Sequence, residues 1–262
     1  MPIKEPSNTT APVFFPNSNY SIARYLDLAK FLSLIQTKKI FFNKLSNFED
    51  RYEGTLPELS YKELENWYRK LFSSHPAYKN KEDFNIEEEI KKDILAHRMT
   101  DEKFKHLICV SCWNKLESES YALWKIYANL NQGIMIKSSI NRLISAFQDS
   151  EEMIQLSEIK YINFQKDKID FSNANYRIIH KNKPYNYENE IRLIHQVKLK
   201  SGFDYDWTKE ENQNGKYINI DLNSLIEEIV ISPFSPDWFF DVVNDIVDKY
   251  ELSKKVRYSE FR

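Results

Sequence analysis

Glycine is almost missing from this chain: it supplies 4 of 262 residues, where average usage would give about eighteen. Gly54, Gly133, Gly202 and Gly215 all lie more than ten positions apart. A Walker loop or a dinucleotide GxGxxG turn needs clustered glycines, so that backbone amides can close on phosphate. Neither can be built here, and a phosphorylated ligand would have to be held by side chains. Cysteine is scarce as well, and two residues do not make a disulfide scaffold. No run nears the roughly 18 apolar residues of a membrane span, and the polar start MPIKEPSNTT does not read as a signal peptide. Basic and acidic residues number 37 and 39, so there is no global basic footprint of a duplex DNA binder. These absences lead us to expect a cytoplasmic protein with no membrane partner.

What the chain has is aromatic and aliphatic material for a sizeable core, at 15% and 42% by the aromatic and total hydrophobic counts. Strands are predicted at Ser21–Tyr25, Lys39–Asn43, His106–Cys112, Ile134–Ile136, Gln155–Ile162, Tyr187–Leu199, Tyr217–Ile220, Ile226–Ser232 and Lys255–Ser259. Helical spacing of Leu28, Phe31, Leu32 and Ile35 predicts a helix between the first two. Others are expected from Ser118 or Ser120 to Asn129, over Ile140–Phe147 and over Phe164–His180. The last helix should open at Ser235-Pro236, with Ser as cap and Trp238, Phe239, Val242, Ile246 and Tyr250 as its apolar stripe. Gly133 reads as a helix stop, and Gly202 and Gly215 bracket a polar excursion. Residues 56–105 are rich in Lys and Glu and read as a helical insertion with solvated faces. The economical architecture is a single α+β domain with a mixed or antiparallel sheet, flanking helices and that insertion.

Chemistry is sparser. Cys109 and Cys112 form a CxxC with no second pair, and on a strand they point to opposite faces, so core packing is expected rather than zinc. The histidines are dispersed, and no Gly-x-Ser-x-Gly elbow exists. Two acidic clusters remain. Glu49, Asp50 and Glu53 follow the second strand and read either as a solvated turn or as ligands. Period two puts Glu188, Glu190 and Arg192 on one strand face, where three charges either face solvent or line a site. Trp113, Trp124 and Tyr127 read as core or as a platform for a planar ligand. Lysine outnumbers arginine 28 to 9, which makes each arginine a distinctive choice.

The ordered series ARYLDLAKFLSLIQTKKIFF (23–42), FEDRYEG (48–54), VSCWN (110–114), LWKIYANLNQGIMI (123–136), IKY (159–161), KPYNYENEIRLI (183–194) and ISPFSPDWF (231–239) resembles the bacterial domain-of-unknown-function family 2971. The order of an Arg-bearing first strand, a Ser-bearing central strand with a helix after it, and a Glu-x-Glu strand also looks like the ADP-ribosyltransferase layout. That fold holds NAD without a glycine loop. The resemblance implies that Arg24, with Tyr25, contacts the cofactor, that Ser111 orients a catalytic Glu190, and that Glu188 directs transfer. Trp113, Trp124 or Tyr127 would stack a ring. The usual Ser-Thr-Ser triplet is reduced to Val110-Ser111-Cys112, and Arg192 is an addition that would pair with Glu188 or Glu190. The implied activity is ADP-ribose transfer to an acceptor (protein, nucleic acid or small molecule) or NAD hydrolysis, as in a toxin or defence effector, with no metal. Two alternatives stand beside it: a non-enzymatic ligand- or partner-binding module, and a metal-dependent hydrolase or nuclease using Asp50, Glu53, Glu188 and Glu190.

Overall fold

The computed structural model describes residues 3, 13–79, 84–128, 131–197 and 214–262. Its chain order is β1 (Ser21–Asp27), α1 (Leu28–Thr37), β2 (Lys39–Lys44), α2 (Glu58–Ser74), α3 (Pro76–Lys79), α4 (Ile86–Lys105), β3 (Ile108–Lys115), α5 (Tyr121–Tyr127) and β4 (Gly133–Ser139). Then follow α6 (Ile140–Ala146), β5 (Gln155–Glu158), β6 (Lys160–Ile162), β7 (His180–Asn182), β8 (Glu190–Gln196), β9 (Gly215–Asn219), α7 (Leu222–Leu225), β10 (Glu228–Ile231), α8 (Asp237–Lys249) and β11 (Lys255–Tyr258). The fold is mixed α and β. Among the described residues no helix is long and apolar enough to cross a membrane.

Nine strands form one mixed sheet, and β6 pairs with β7 in a small separate one. The centre is β3. One of its edges is taken along nearly its whole length by β8, from Ile108↔Gln196 to Asn114↔Glu190. Its other edge is shared. β1 holds the far end through Ile22↔Lys115 and Ala23↔Asn114, and β2 holds the near end through Asn43↔Val110 and Lys44↔Cys109. Between these short ladders, Ser111 to Trp113 have no strand partner on that edge. The sheet therefore forks, with β4, β10 and β11 extending the β1 branch and β9 extending the β2 branch.

Alternation along the strands sorts side chains into two faces. On one, Ile22, Leu26, Cys109, Trp113, Ile191 and Leu193 pack with Phe31 of α1, Leu143 of α6, Leu225 of α7 and Phe239, Val243 and Val247 of α8 in the largest core cluster. On the other, Tyr25 and Met135 meet Leu123 and Trp124 of α5, while Val110 and Ile194 meet Ile178, Ile179 and Leu45. Helices α2 and α4, within the stretch read as an insertion, make their own apolar cluster with Ile162, Phe164 and Ile169. Polar contacts fasten it. Ser60 donates to Ile169 O at 2.8 Å and accepts from Ile169 N at 2.7 Å, and buried Asp101 takes Tyr61 at 2.6 Å and Arg177 at 2.7 Å.

Several expectations need correction. Phe164–His180 is not a helix and holds only a 3-10 turn, Ala174–Arg177. Short side chains bind the backbone instead: Asn163 accepts from Gln165 N, Asp170 from Ser172 N and Asn173 from Asn175 N. Such local bonds compete with helical ones. The segment Gln155–Ile162 divides between two sheets. The strand expected from Tyr187 begins at Glu190, because Lys183–Glu188 is a 3-10 turn closed by Asn189 in the left-handed region. Gly133 stops no helix; it opens β4 opposite Asp27. Ser235 caps nothing, since α8 starts at Asp237 with Pro236 before it and the Ser235 hydroxyl is buried without a partner. The α8 stripe is centred on Phe239, Val243 and Val247, leaving Trp238 exposed. Asn129, Leu199 and Gly202 lie outside the described residues.

Gly215 begins β9 at φ 143°, where an added Cβ would stand 2.1 Å from Phe42 O. Gly54, at φ 70°, would meet the tip of Leu45 at 2.8 Å. A backbone carbonyl in a ladder cannot yield as a side-chain tip can. Gly215→Ala should therefore cost more than Gly54→Ala, each on the scale of about 1–3 kcal/mol, as read by urea unfolding.

Candidate functional site

Below the fork lies a cleft of about 1130 Å³. Its walls come from β1 (Arg24, Tyr25), α1 (Lys30, Ser33), β2 (Lys39, Phe41), the turn after β2 (Asp50, Glu53), β3 (Cys112, Asn114), α5 (Ile126, Tyr127) and the segment 181–190 (Lys181, Tyr185, Tyr187, Glu188, Glu190). Of its four basic residues, Arg24, Lys30 and Lys39 belong to β1, α1 and β2, Lys30 being paired with Asp27 at 2.9 Å, and Lys181 belongs to β7. The carboxylates Glu49, Asp50, Glu53, Glu188 and Glu190 belong to the turn and the run into β8. The cleft is thus large and lined by charges of both signs.

Arg24 stands in the crotch of the fork. Its Nη1 donates to Ser111 Oγ at 2.8 Å, and its Nη2 approaches Phe41 O at 3.5 Å. It therefore touches the central strand and β2 from β1, across the gap that the ladders leave open. Burial lowers its pKa, against a smaller opposing effect of Cys112.

The acidic wall is a five-membered ion cluster. Arg192 is fully buried; its Nε donates to Glu190 Oε1 at 2.7 Å, and its Nη1 and Nη2 reach Glu53 at 3.1 and 3.2 Å. The same Nη1 donates to Ile178 O at 2.7 Å. Lys181 Nζ lies 2.5 Å from Glu188, 3.1 Å from Glu190 and 3.5 Å from Glu53. Tyr127 donates to Glu188 Oε1 at 2.6 Å, and Tyr161 accepts from Glu190 N at 2.9 Å. Three carboxylates share two cations, so one negative charge is in excess. Arg192 lies behind the wall, whereas Glu53, Glu188, Glu190 and Lys181 line it.

Burial would raise the Glu190 pKa, but Arg192 and Lys181 outweigh it and hold the carboxyl down at about 2. For Glu188 burial wins over Lys181 and Tyr127, and its pKa rises. Burial would lower that of Lys181, yet Glu190 and Glu53 raise it far above its ordinary value. Burial and then Glu188 push Tyr127 up, and burial and then Glu190 push the Cys112 thiol up. Cys112 also donates toward Glu190.

The residues singled out from the sequence do not all reach the cleft. Arg24, Tyr25, Tyr127, Glu188 and Glu190 line it. Ser111 does not orient Glu190: it lies on the Trp113 face of β3, bonded to Arg24, whereas Glu190 and Arg192 lie on the Cys112 face. Trp113 and Trp124 are wholly buried in core and stack no ligand; the Trp124 indole donates to Glu119 at 3.3 Å. Arg192 contacts carboxylates rather than open space. Cys109 is core as expected, but Cys112 is at the cleft. Glu188 is not on the strand; the turn through Asn189 returns it beside Glu190. Glu53, weighed as a solvated turn, is buried in the cluster. Lys181 went unnoticed, since nothing separates it in sequence from 27 other lysines. Phe41 and Tyr217, with ring centroids 4.9 Å apart, and Tyr185 and Tyr187 were also missed as cleft aromatics.

Among the described residues no group of three or more His, Cys, Asp or Glu is placed to hold a metal ion. Lys181 and Arg192 occupy the space between the carboxylates. In comparisons with protein-family models and with curated proteins, nothing matches the chain.

Removing one side of a buried ion pair leaves an uncompensated charge, at a cost of about 3–5 kcal/mol. Arg192→Met should show that loss in denaturant unfolding, and adding Glu53→Leu and Glu190→Leu should recover much of it. The acid limb follows from Glu190. Its folded-state pKa lies below the ordinary 4.5, so its contribution is present above about pH 4.5 and is lost as pH falls toward 2. Glu190→Gln should flatten stability against pH over that window.

Proposed function

We propose that the cleft binds NAD and that the protein breaks its nicotinamide–ribose bond, passing ADP-ribose to an acceptor or to water. The observation that carries this reading is the polarity of one cleft, with Arg24 and two lysines at one wall and the Glu188–Glu190 carboxylates at another. A dinucleotide has the matching pattern of a pyrophosphate and a positively charged ring. An arginine fork suits the pyrophosphate, and no glycine loop is then required. Exposed Tyr127, Tyr187 and Tyr217 offer ring faces in place of the buried tryptophans. The resemblance to the ADP-ribosyltransferase layout points the same way through Arg24 and Glu190.

In this scheme the bond electrons leave with nicotinamide, whose ring charge is thereby neutralised. Positive charge grows on the ribose, and the surplus negative charge of the acidic wall opposes it. An acceptor or water oxygen then bonds to the ribose carbon. Its proton passes to Glu188, the carboxylate whose pKa burial raises.

A second reading has its own support. Glu190 is only 2% exposed and is held by Arg192 and Lys181, as a purely structural brace would be. A non-catalytic binding module would then use the same cleft.

Nicotinamide release from NAD, with and without cell lysate, separates the two. The transferase reading expects release that falls at least about hundredfold, the scale of one lost transition-state interaction, in Glu190→Gln and Glu188→Gln, with native unfolding profiles. Binding of NAD without release under any acceptor condition would leave the binding module.

A further inference from the structure

The wall beside Glu190 contains a third carboxylate to which the scheme above gives no individual role. Glu53 comes from the turn after β2, held by Gly54 in the left-handed region and by the bond from Glu53 N to Asp50 O at 3.0 Å. It competes with Glu190 for both cations, taking the two terminal nitrogens of Arg192 while Glu190 has Nε, and standing 3.5 Å from Lys181. Without Glu53 the cluster would hold two carboxylates and two cations and would be neutral. With it, one negative charge remains at the cleft wall.

From this balance we infer that Glu53 is a specificity-determining residue, whose charge makes the cleft select a ligand with a cationic ring over the same ligand with a neutral ring. This rests on the reading of the cleft as a dinucleotide site. It adds that the oxidised, positively charged nicotinamide is favoured over the reduced dihydropyridine, which has the same size and pyrophosphate but no ring charge. The discrimination is long-range electrostatics, strengthened because the three carboxylates and Arg192 are buried and poorly screened. Glu53 need not touch the ligand. A unit charge several ångströms away at the effective dielectric of a protein site changes binding by about three- to thirtyfold.

The test is the ratio of dissociation constants for NAD, presented as a carbocyclic analogue that keeps the cationic ring but cannot be cleaved, and for NADH, measured by calorimetry on the full chain and so independent of turnover. The native protein should prefer NAD, and Glu53→Gln should weaken NAD binding about three- to thirtyfold while leaving NADH nearly unchanged. Glu53→Asp, which keeps the charge, should retain the preference. Adding Lys181→Gln to Glu53→Gln again leaves one negative charge in excess and should restore it, which a loss of packing alone would not do. Unfolding midpoints of each variant identify any that fail to fold, in which case the Asp and double variants decide. If both dinucleotides bind and Glu53→Gln lowers them equally, or if the double variant does not recover, the inference is overturned and the dinucleotide reading stands. If neither binds the native protein, the dinucleotide reading falls and takes the inference with it.

Discussion

The guanidinium of Arg192 is the contact on which the cleft depends. It is wholly buried, and its nitrogens reach Glu190 on its own strand, Glu53 from the turn after β2 and the carbonyl of Ile178 ahead of β7. Two distant stretches of chain are thereby set against β8. An ion buried this deeply is tolerable only when its donors are nearly all matched, and here Nε, Nη1 and Nη2 all are. The same demand fixes where Glu53 and Glu190 can be. Lys181 and Tyr127 complete it at the side open to the cleft.

A second network secures the opposite border of α5. Glu119, nearly buried, accepts from Trp124 Nε1, Arg257 Nη1 and Ser259 Oγ. It ties α5 to the end of the chain at β11 and leaves Tyr127, on the other end of that helix, directed at Glu188. The tryptophan that looked like a ligand platform is a strut that places a tyrosine. Its aromatic character serves the core, and its single N–H serves the strut.

The fold was legible where hydrophobic period and capping agree. Ser120, one of the two serines expected to open it, caps α5, and β1, β2, β4 and β10 lie within a few residues of where alternation and apolar runs put them. It was least legible between 163 and 189, where Asn and Asp side chains redirect the backbone without changing its hydrophobic pattern. That stretch carries Lys181 and the turn to Glu188, so half of the acidic wall was hidden with it. Glu188 and Glu190 were recognisable as a pair, but the reason given, a shared strand face, was wrong. Their proximity comes from a left-handed Asn189. Glu53 was read as part of a solvated turn or as a ligand but not as a partner of Arg192, because ion pairing across 139 residues leaves no local trace.

The fork in the sheet gives the cleft a mechanical character. β1 and β2 run the same way and are joined through α1, yet each meets β3 by only two residue pairs. β3 therefore acts as a spine with two leaves, and Arg24 is the stitch between them. The gap is then bounded by the one strand that both leaves share. A ligand that drew the guanidinium away from Ser111 would loosen the stitch at the moment it filled the gap, so occupancy and the integrity of the sheet are coupled through one side chain.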